Sequence, residues 1–320
     1  MFRTSSTAVH GPGDFTLTSV VLFTLGAYGI AAGSVTSDQT VVAIGVFAFV
    51  LFAIGLVWPI VILARVSVEV VAPSDGAVGD EVPLRIIVRG RTDRVEVRVL
   101  DPPGRWWRTA VPGVGTMPHL ATRRGVFDEV RVQLRTSAPL GVFVRVRQAR
   151  VRMPEPITIA PSARPAAAVL YPIGDEALMT DPVPASVAGG DTVRAVRPYV
   201  PGDPARLVHW ATSARLGELV VREHDPPAAQ GLALVVDLSG PDEWGDEAAS
   251  YAAGMGRAAL AGGGVVLLAT REREGPVCAR VLDARDLGRR LARAVAGPPA
   301  DVPAGWPQRV VRALDFGTVP

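Results

Sequence analysis

The sequence predicts a multidomain chain with two transmembrane helices, then an all-β sandwich-like domain, then an α/β domain. Three observations carry that expectation. Residues 15–63 form two long apolar runs whose only charged residue is Asp38. Residues 66–152 alternate apolar and polar side chains in short segments separated by Gly and Pro, the period of half-buried strands. Residues 231–320 place continuous apolar runs between helical patterns, as an α/β layer requires. At 320 residues, 48% of them hydrophobic, the chain has room for two soluble domains and an anchor.

A tail over residues 1–14 precedes the first span. Phe15 to Val35 and Val41 to Leu63 are each long enough to cross a hydrocarbon core of about 30 Å as a helix. Together they predict a transmembrane hairpin over residues 15–63. A cleaved signal peptide competes for the first run, but that run exceeds the usual apolar core of a signal and a second span follows within a few residues. Arg3 precedes the hairpin, Arg65 follows it, and the connection between the spans holds no basic residue. The positive-inside rule therefore places both ends in the cytoplasm, which makes the expected product a multi-pass cell-membrane protein with cytoplasmic soluble domains.

Residues 66–152 carry strand-like alternation at Val66-Val68-Val70, Leu84-Ile86-Val88, Val95-Val97-Val99 and Val130-Val132-Leu134. Turn signals at 73–79, 101–104 and 112–115 divide them at the spacing of an antiparallel sandwich. Arg145, Arg147 and Arg150 are expected on the solvated outer face of a strand, and of the adjacent Trp106 and Trp107 one is expected in the core and one partly exposed. Residues 153–190, rich in Pro, Ala and Gly, predict an irregular connector with a short strand near Ile157 to Ala160.

Charge and composition exclude several classes. The formal net charge is +2, with 33 basic residues, all Arg, against 31 acidic ones, so no global signature of a nucleic-acid partner exists. An excess of Arg, Ala, Val, Gly and Pro also fits GC-rich coding. The single Cys278 excludes an internal disulfide framework.

The densest stretch, residues 191–230, is organised around Arg197 to Asp225. Val200-Pro201-Gly202-Asp203 has Pro and Gly where a type II turn favours them. Asp203 is expected to cap a helix whose first residue is Pro204 and whose end is Gly217. Leu207, Trp210 and Ala214 would share its apolar face, and Arg206, His209 and Ser213 its polar face. A strand from Leu219 to His224 follows. Arg197, Arg206, Arg215 and Arg222 are matched by Asp203, Glu218, Glu223 and Asp225, enough carboxylates for a self-satisfied clamp, with Trp210 a flat face for one guanidinium.

The order Arg197, Tyr199, Pro201-Gly202-Asp203, Arg206, His209-Trp210, Ser213-Ala214-Arg215, Gly217-Glu218-Leu219 and Val221-Arg222-Glu223 resembles the signature of the DUF58 family. Arg123-Arg124-Gly125-Val126-Phe127 and Pro139-Leu140-Gly141-Val142-Phe143 resemble elements that precede it there, although Ala138 and Leu140 depart from the acidic and aromatic residues of the second element. The resemblance implies a membrane-anchored scaffold or adaptor that works with a MoxR-type AAA+ ATPase and a transglutaminase-like membrane protein, in assembly or maturation of a membrane or envelope complex.

Residues 231–320 open with an apolar run ending in Asp237-Leu238-Ser239-Gly240. A helix from Glu247 to Ala261, capped by Asp246 and stopped by Gly262-Gly263-Gly264, is expected next. Val265 to Thr270 and Val277 to Leu282 then predict second and third parallel strands, Arg285 to Ala296 a second helix, and Val310 to Leu314 an edge strand. Asp237 and Ser239 resemble the start of the cation-binding loop of von Willebrand factor A domains, which implies Mg²⁺ and an adhesion-like binding module. Pro241 stands at the third position of that loop and offers no side-chain oxygen, so the ligand set is incomplete and no cofactor is expected.

Catalysis has one candidate pair. His209 as base and Ser213 as nucleophile lie one helical turn apart, which would suit a hydrolase. No orienting third group, nucleophile elbow, P-loop, H-E-x-x-H or C-x-x-C accompanies them, and the expectation is a protein that is not an enzyme.

Overall fold

The computed structural model describes residues 8–10, 14–173, 193–224 and 230–317. Residues 1–7 with Arg3, residues 174–190 of the predicted connector and Asp225 lie outside them. The chain divides into two compact units, residues 1–160 and 161–320.

In the first unit, α1 (Leu17–Thr36) and α2 (Gln39–Arg65) form a helical hairpin, and each is long and apolar enough to cross a membrane. The turn between them is chemically closed. Ser37 takes a left-handed conformation, the Asp38 amide donates to the Gly33 carbonyl at 3.0 Å, and the Asp38 carboxylate accepts from the Thr40 amide at 2.9 Å. Small residues face inward and large ones outward. Gly26, Gly29 and Gly33 of α1 are buried, as are Gly45 and Ala48 of α2, while Phe23, Tyr28, Phe47 and Trp58 are exposed. A Cβ on Gly29 would meet the Gly45 Cα at 2.8 Å, so the two backbones touch directly. Such pairing through small residues lets the two backbones approach closely.

The β-rich part contains β1 (Ala8–His10), β2 (Asp14–Phe15), β3 (Ser67–Val71), β4 (Asp75–Ala77), β5 (Glu81–Val99), β6 (Trp107–Leu120), β7 (Gly125–Thr136) and β8 (Phe143–Ala160). Their order is β1-β8-β7-β5-β3, with β6 on β5 and both β2 and β4 on β8. The long strands β5 and β8 each pair with different partners along their two halves. Val70, Ile86, Val88, Val97, Val132 and Leu134 are fully enclosed between them. Each such side chain contributes about 1.5–3 kcal/mol by leaving water.

Two expectations change here. Residues 153–160 are not connector but the second half of β8, in spite of Pro154 and Pro156. Phe127 of β7 pairs with Ile157 and Glu129 with Arg152, so both prolines sit in a bulge where no ladder amide is required. Arg145 and Arg147 are not on the solvated face. They share the parity of the buried Ala149, Val151 and Met153 and are half-buried, whereas Arg150 is exposed. Arg147 Nη1 donates to the carbonyls of Leu63 at 2.6 Å and Val66 at 3.1 Å, and so satisfies orphan carbonyls at the end of α2.

The second unit contains β9 (Tyr171–Pro172), β10 (Val193–Pro198), the short helix α3 (Trp210–Leu216), β11 (Val220–His224), β12 (Gln230–Asp237), α4 (Asp242–Ala261), β13 (Val265–Glu272), β14 (Gly275–Val281), α5 (Ala284–Arg293) and β15 (Gln308–Arg312). The main sheet runs β14-β13-β12-β15, with β12 parallel to both β13 and β15. The expected third parallel strand is instead antiparallel. β14 folds back on β13 through Arg273 and Glu274, with Glu272 opposite Gly275. The gap between the two apolar runs is too short for the crossover of a dozen or more residues that parallel strands need. β15 supplies the other parallel neighbour.

α4 starts at Asp242 after Pro241, five residues before the expected start, with Asp242 and Glu243 complementing the helix dipole. Its Ala248, Ala249, Ala252, Ala253 and Gly256 lie flat against the sheet. The segment after residue 160 crosses α4. The Arg164 amide donates to the Ser250 carbonyl at 3.0 Å, and the Arg164 carbonyl stands where a Cβ on Gly254 would be. On α5, Arg290 is buried and donates to the carbonyls of Ala279 at 2.6 Å and Arg280 at 3.2 Å.

Candidate functional site

The signature stretch builds a ribbon. β10 and β11 are antiparallel, with Val196 opposite Arg222 and Arg197 opposite Val221. The expected turn forms. The Asp203 amide donates to the Val200 carbonyl at 3.0 Å, and Gly202 takes φ +114°, a conformation that disfavours a side chain.

Asp203 does not cap a helix. Its carboxylate accepts a two-pronged pair from Arg197, both contacts at 2.8 Å, and a third bond from the Val200 amide at 3.0 Å. The Arg197 hydrogen bonds and the Val200 amide hold its carboxyl below the ordinary aspartate range against a small opposing effect of burial. This pair belongs to the expected clamp, and it is the clamp's only ion pair among the described residues. Arg206, Arg215, Glu218 and Arg222 are exposed. Glu223 lies on β11, its side chain outside the described residues, as is Asp225.

The single expected helix is two pieces. Residues Ala205–Leu207 make one 3-10 turn, Val208 returns to extended backbone and bridges Val221, and α3 begins only at Trp210. The break overturns the predicted faces, because Leu207 and Trp210 no longer share a helix. His209 is the cap of α3, its Nδ1 accepting from the Thr212 amide at 3.1 Å, and its own amide donates to the Val220 carbonyl at 2.9 Å. Ser213 is 7% exposed, and its Oγ accepts from the Val220 amide at 3.0 Å. Gly217 closes the helix in the left-handed conformation. Tyr199 is half-buried, and its amide donates to the Leu219 carbonyl at 2.8 Å.

The His209 and Ser213 side chains therefore each serve the backbone, and the hydrogen bond that joins the two residues is the helical one from the Ser213 amide to the His209 carbonyl at 2.9 Å. What remains outward is a mixed set of apolar and basic side chains. Trp210 is 67% exposed, and Val196, Val200, Leu216 and Leu219 are exposed with it, alongside the guanidiniums of Arg206, Arg215 and Arg222. The stacking of a guanidinium on tryptophan expected at Trp210 occurs instead at Trp106, which carries Arg135 at 4.1 Å and Arg98 at 4.5 Å from its ring centroid. Trp107 packs against the core of the β-rich part.

Asp237 and Ser239 lie at the C-terminal end of β12. β13 and β15 flank that strand on opposite sides, so the loop occupies the point where the chain connections diverge. The Asp237 Oδ1 accepts from the Ser239 amide at 2.9 Å, a local turn. Among the described residues no group of three or more His, Cys, Asp or Glu gathers to hold a metal ion.

A second charged cluster lies in the first unit. Glu96 of β5 is the direct cross-strand partner of both Arg108 on β6 and Arg135 on β7 and is hydrogen-bonded to each. Burial pushes the Glu96 carboxyl up, but the hydrogen bonds and charges of the two arginines outweigh it and hold the carboxyl below its ordinary value. The common parity of Arg94, Glu96 and Arg98 was the signal that could have revealed this face.

A protein-family model described as "Protein of unknown function DUF58" matches residues 195–277, from β10 into β14. The match takes in the whole turn-helix-strand element together with β12, α4 and β13. No curated protein and no solved structure matches the chain.

Proposed function

We propose that the chain is a non-catalytic, membrane-anchored adaptor that presents the outward face of the signature ribbon to an acidic, partly apolar segment of a partner. The observation that carries this is the division of labour among the signature residues. Arg197, Asp203, His209 and Ser213 spend their polar atoms on the ribbon's own backbone and pairing, whereas Trp210, Arg206, Arg215 and Arg222 are exposed. Exposed Trp and Arg are the residue types that dominate binding hot spots, and forked guanidiniums suit carboxylates.

The resemblance to DUF58 proteins suggests the partner class, a MoxR-type AAA+ ATPase, with a transglutaminase-like membrane protein as a further component. The hairpin serves as the anchor. Arg65 ends α2, and the exposed Arg89, Arg91 and Arg94 follow in the same unit, an asymmetry that supports a cytoplasmic position for the soluble parts. In the second unit, parallel β12, β13 and β15 with the Asp237 loop at the switch point support an A-domain-like reading.

Affinity capture of the full chain from membranes tests the proposal. The ATPase is expected to be retained by the wild type and reduced about tenfold or more by Trp210→Ala combined with Arg206→Glu, two exposed positions whose change leaves the fold intact. Absence of the ATPase from the wild-type eluate overturns it.

A further inference from the structure

We propose that the first unit carries a binding site for the phosphate-bearing headgroup of an anionic phospholipid, in the cleft lined by Arg94, Arg108 and Arg135. The cleft has a volume of about 650 Å³ and is walled on one side by the outer face of β5, β6 and β7 and on the other by the loop from Ser137 to Gly141.

Charge argues for an anion. Arg94, Glu96 and Arg98 alternate along one face of β5, and the neighbouring strands add Arg108 and Arg135 to that face. Four guanidiniums therefore meet one described carboxylate. Glu96 is already engaged by Arg108 and Arg135, and Arg94 is exposed with no ion-pair partner among the described residues.

Rigidity argues for a site rather than a solvated surface. Arg135 is held from two directions, by Glu96 at its Nε and by the face of Trp106, which fixes its guanidinium where it lines the cleft. Arg98 is fixed in turn by Trp106 and by a 2.6 Å bond to Gln133. The loop wall is set by the Thr136 hydroxyl, which donates to the Arg94 carbonyl at 3.0 Å and accepts from the Ala138 amide at 3.2 Å.

Position argues for a lipid as the source of the phosphate. Gly141, at the rim, presents its carbonyl to the hydroxyl of Thr16, the residue that caps α1, and Phe143 stacks edge-on against Phe15 at 5.1 Å. Leu140, also on the rim, is exposed. The cleft thus lies at the end of the β-rich part from which the hairpin emerges, where anionic headgroups attract basic side chains. This step rests on the hairpin being embedded in a bilayer.

The test uses the full chain in detergent, titrated by calorimetry with short-chain phosphatidylglycerol, short-chain phosphatidylcholine and free glycerol phosphate. Phosphatidylglycerol is expected to bind at least about tenfold more tightly than phosphatidylcholine, and Arg94→Gln with Arg135→Gln to remove most of that difference. Arg94→Gln alone, a change at an exposed position without an ion pair among the described residues, is expected to weaken phosphatidylglycerol about threefold with an unchanged melting temperature. Equal affinity for the two lipids overturns the site. Glycerol phosphate binding as tightly as the lipid overturns the lipid assignment in favour of a soluble phosphate. Alkaline extraction of the chain from membranes is the separate check on the anchor. Release into the supernatant sinks the membrane reading on which the site rests, whereas retention with equal lipid affinities sinks the site alone.

Discussion

Asp203 shows how a residue with catalytic chemistry can be wholly occupied by structure. Three donors converge on its carboxylate, and they stabilise the charged form. A carboxyl whose folded pKa lies below its unfolded value contributes stability that is fully present above the unfolded value, about 3.9, and is lost as pH falls through the folded one. Exchange protection of the Val200 amide, corrected for the intrinsic pH dependence of exchange, is therefore expected to be constant near neutrality and to fall below about pH 4. Asp203→Asn keeps an acceptor for that amide but loses the ionic pair with Arg197, and its protection should be lower and flat over the same range. A wild-type profile as flat as that of the variant would show that the pair does not hold the turn. At this scale the sequence was legible in kind but not in direction. The charged and aromatic residues of 197–222 stood out at once, yet one extended residue, Val208, splits the helix and decides that Ser213 turns inward and Trp210 outward. No periodicity announces that break, because Pro204 through Gly217 satisfies a helical pattern throughout.

Elements were most legible where composition alone decides them. The two apolar runs became α1 and α2 within two residues of their expected ends, because no charged side chain interrupts them. Strands and connections were harder. β8 runs through two prolines that argue against a strand, and the tight turn between β13 and β14 uses Arg273 and Glu274 in place of the Asn-Gly or Asp-Gly pairs that mark hairpins. What the hairpin of helices does contain in its sequence is a stripe of small residues, and its structural meaning is a direct backbone contact. A Cβ on Gly45 would stand 2.6 Å from the Ile30 amide nitrogen and 2.8 Å from the Gly29 carbonyl carbon, neither of which can move without moving α1. Gly45→Leu is expected to force the helices apart and to cost about 1–3 kcal/mol. Thermal unfolding in detergent should register it as a lower midpoint, whereas Val46→Leu on the exposed side should leave the midpoint where it was. Equal midpoints for the two variants would mean that α1 and α2 are not packed through this stripe.

At the scale of the whole chain, each unit owns a core, and the boundary between the cores differs from the one that composition suggests. Proline density marks a connector from residue 153, but Ile157 and Ile159 are buried in the first core, while Ala163, Ala166, Ala168 and Leu170 pack against the second. Composition could not show this, because a proline-rich strand in a bulge and a proline-rich linker have the same residues. The second core also needs the segment that crosses α4. Gly254 is bare so that the Arg164 backbone can approach, and Arg164 pairs with Glu247. A fragment of residues 161–320 is therefore expected to fold cooperatively without the hairpin or the β-rich part. A fragment of residues 191–320 loses those four apolar side chains, the buried Ile173, the pairing of β9 with β12 and the amide bond from Arg164 to Ser250. Three of those side chains are partly buried alanines and Ile173 is nearly fully enclosed, so the expected loss is about 3–5 kcal/mol, a large share of the stability of a domain this size. Circular dichroism melts of the two fragments decide the matter. If they melt together, the crossing segment merely lies on α4, and the boundary of the second unit belongs at the signature ribbon instead.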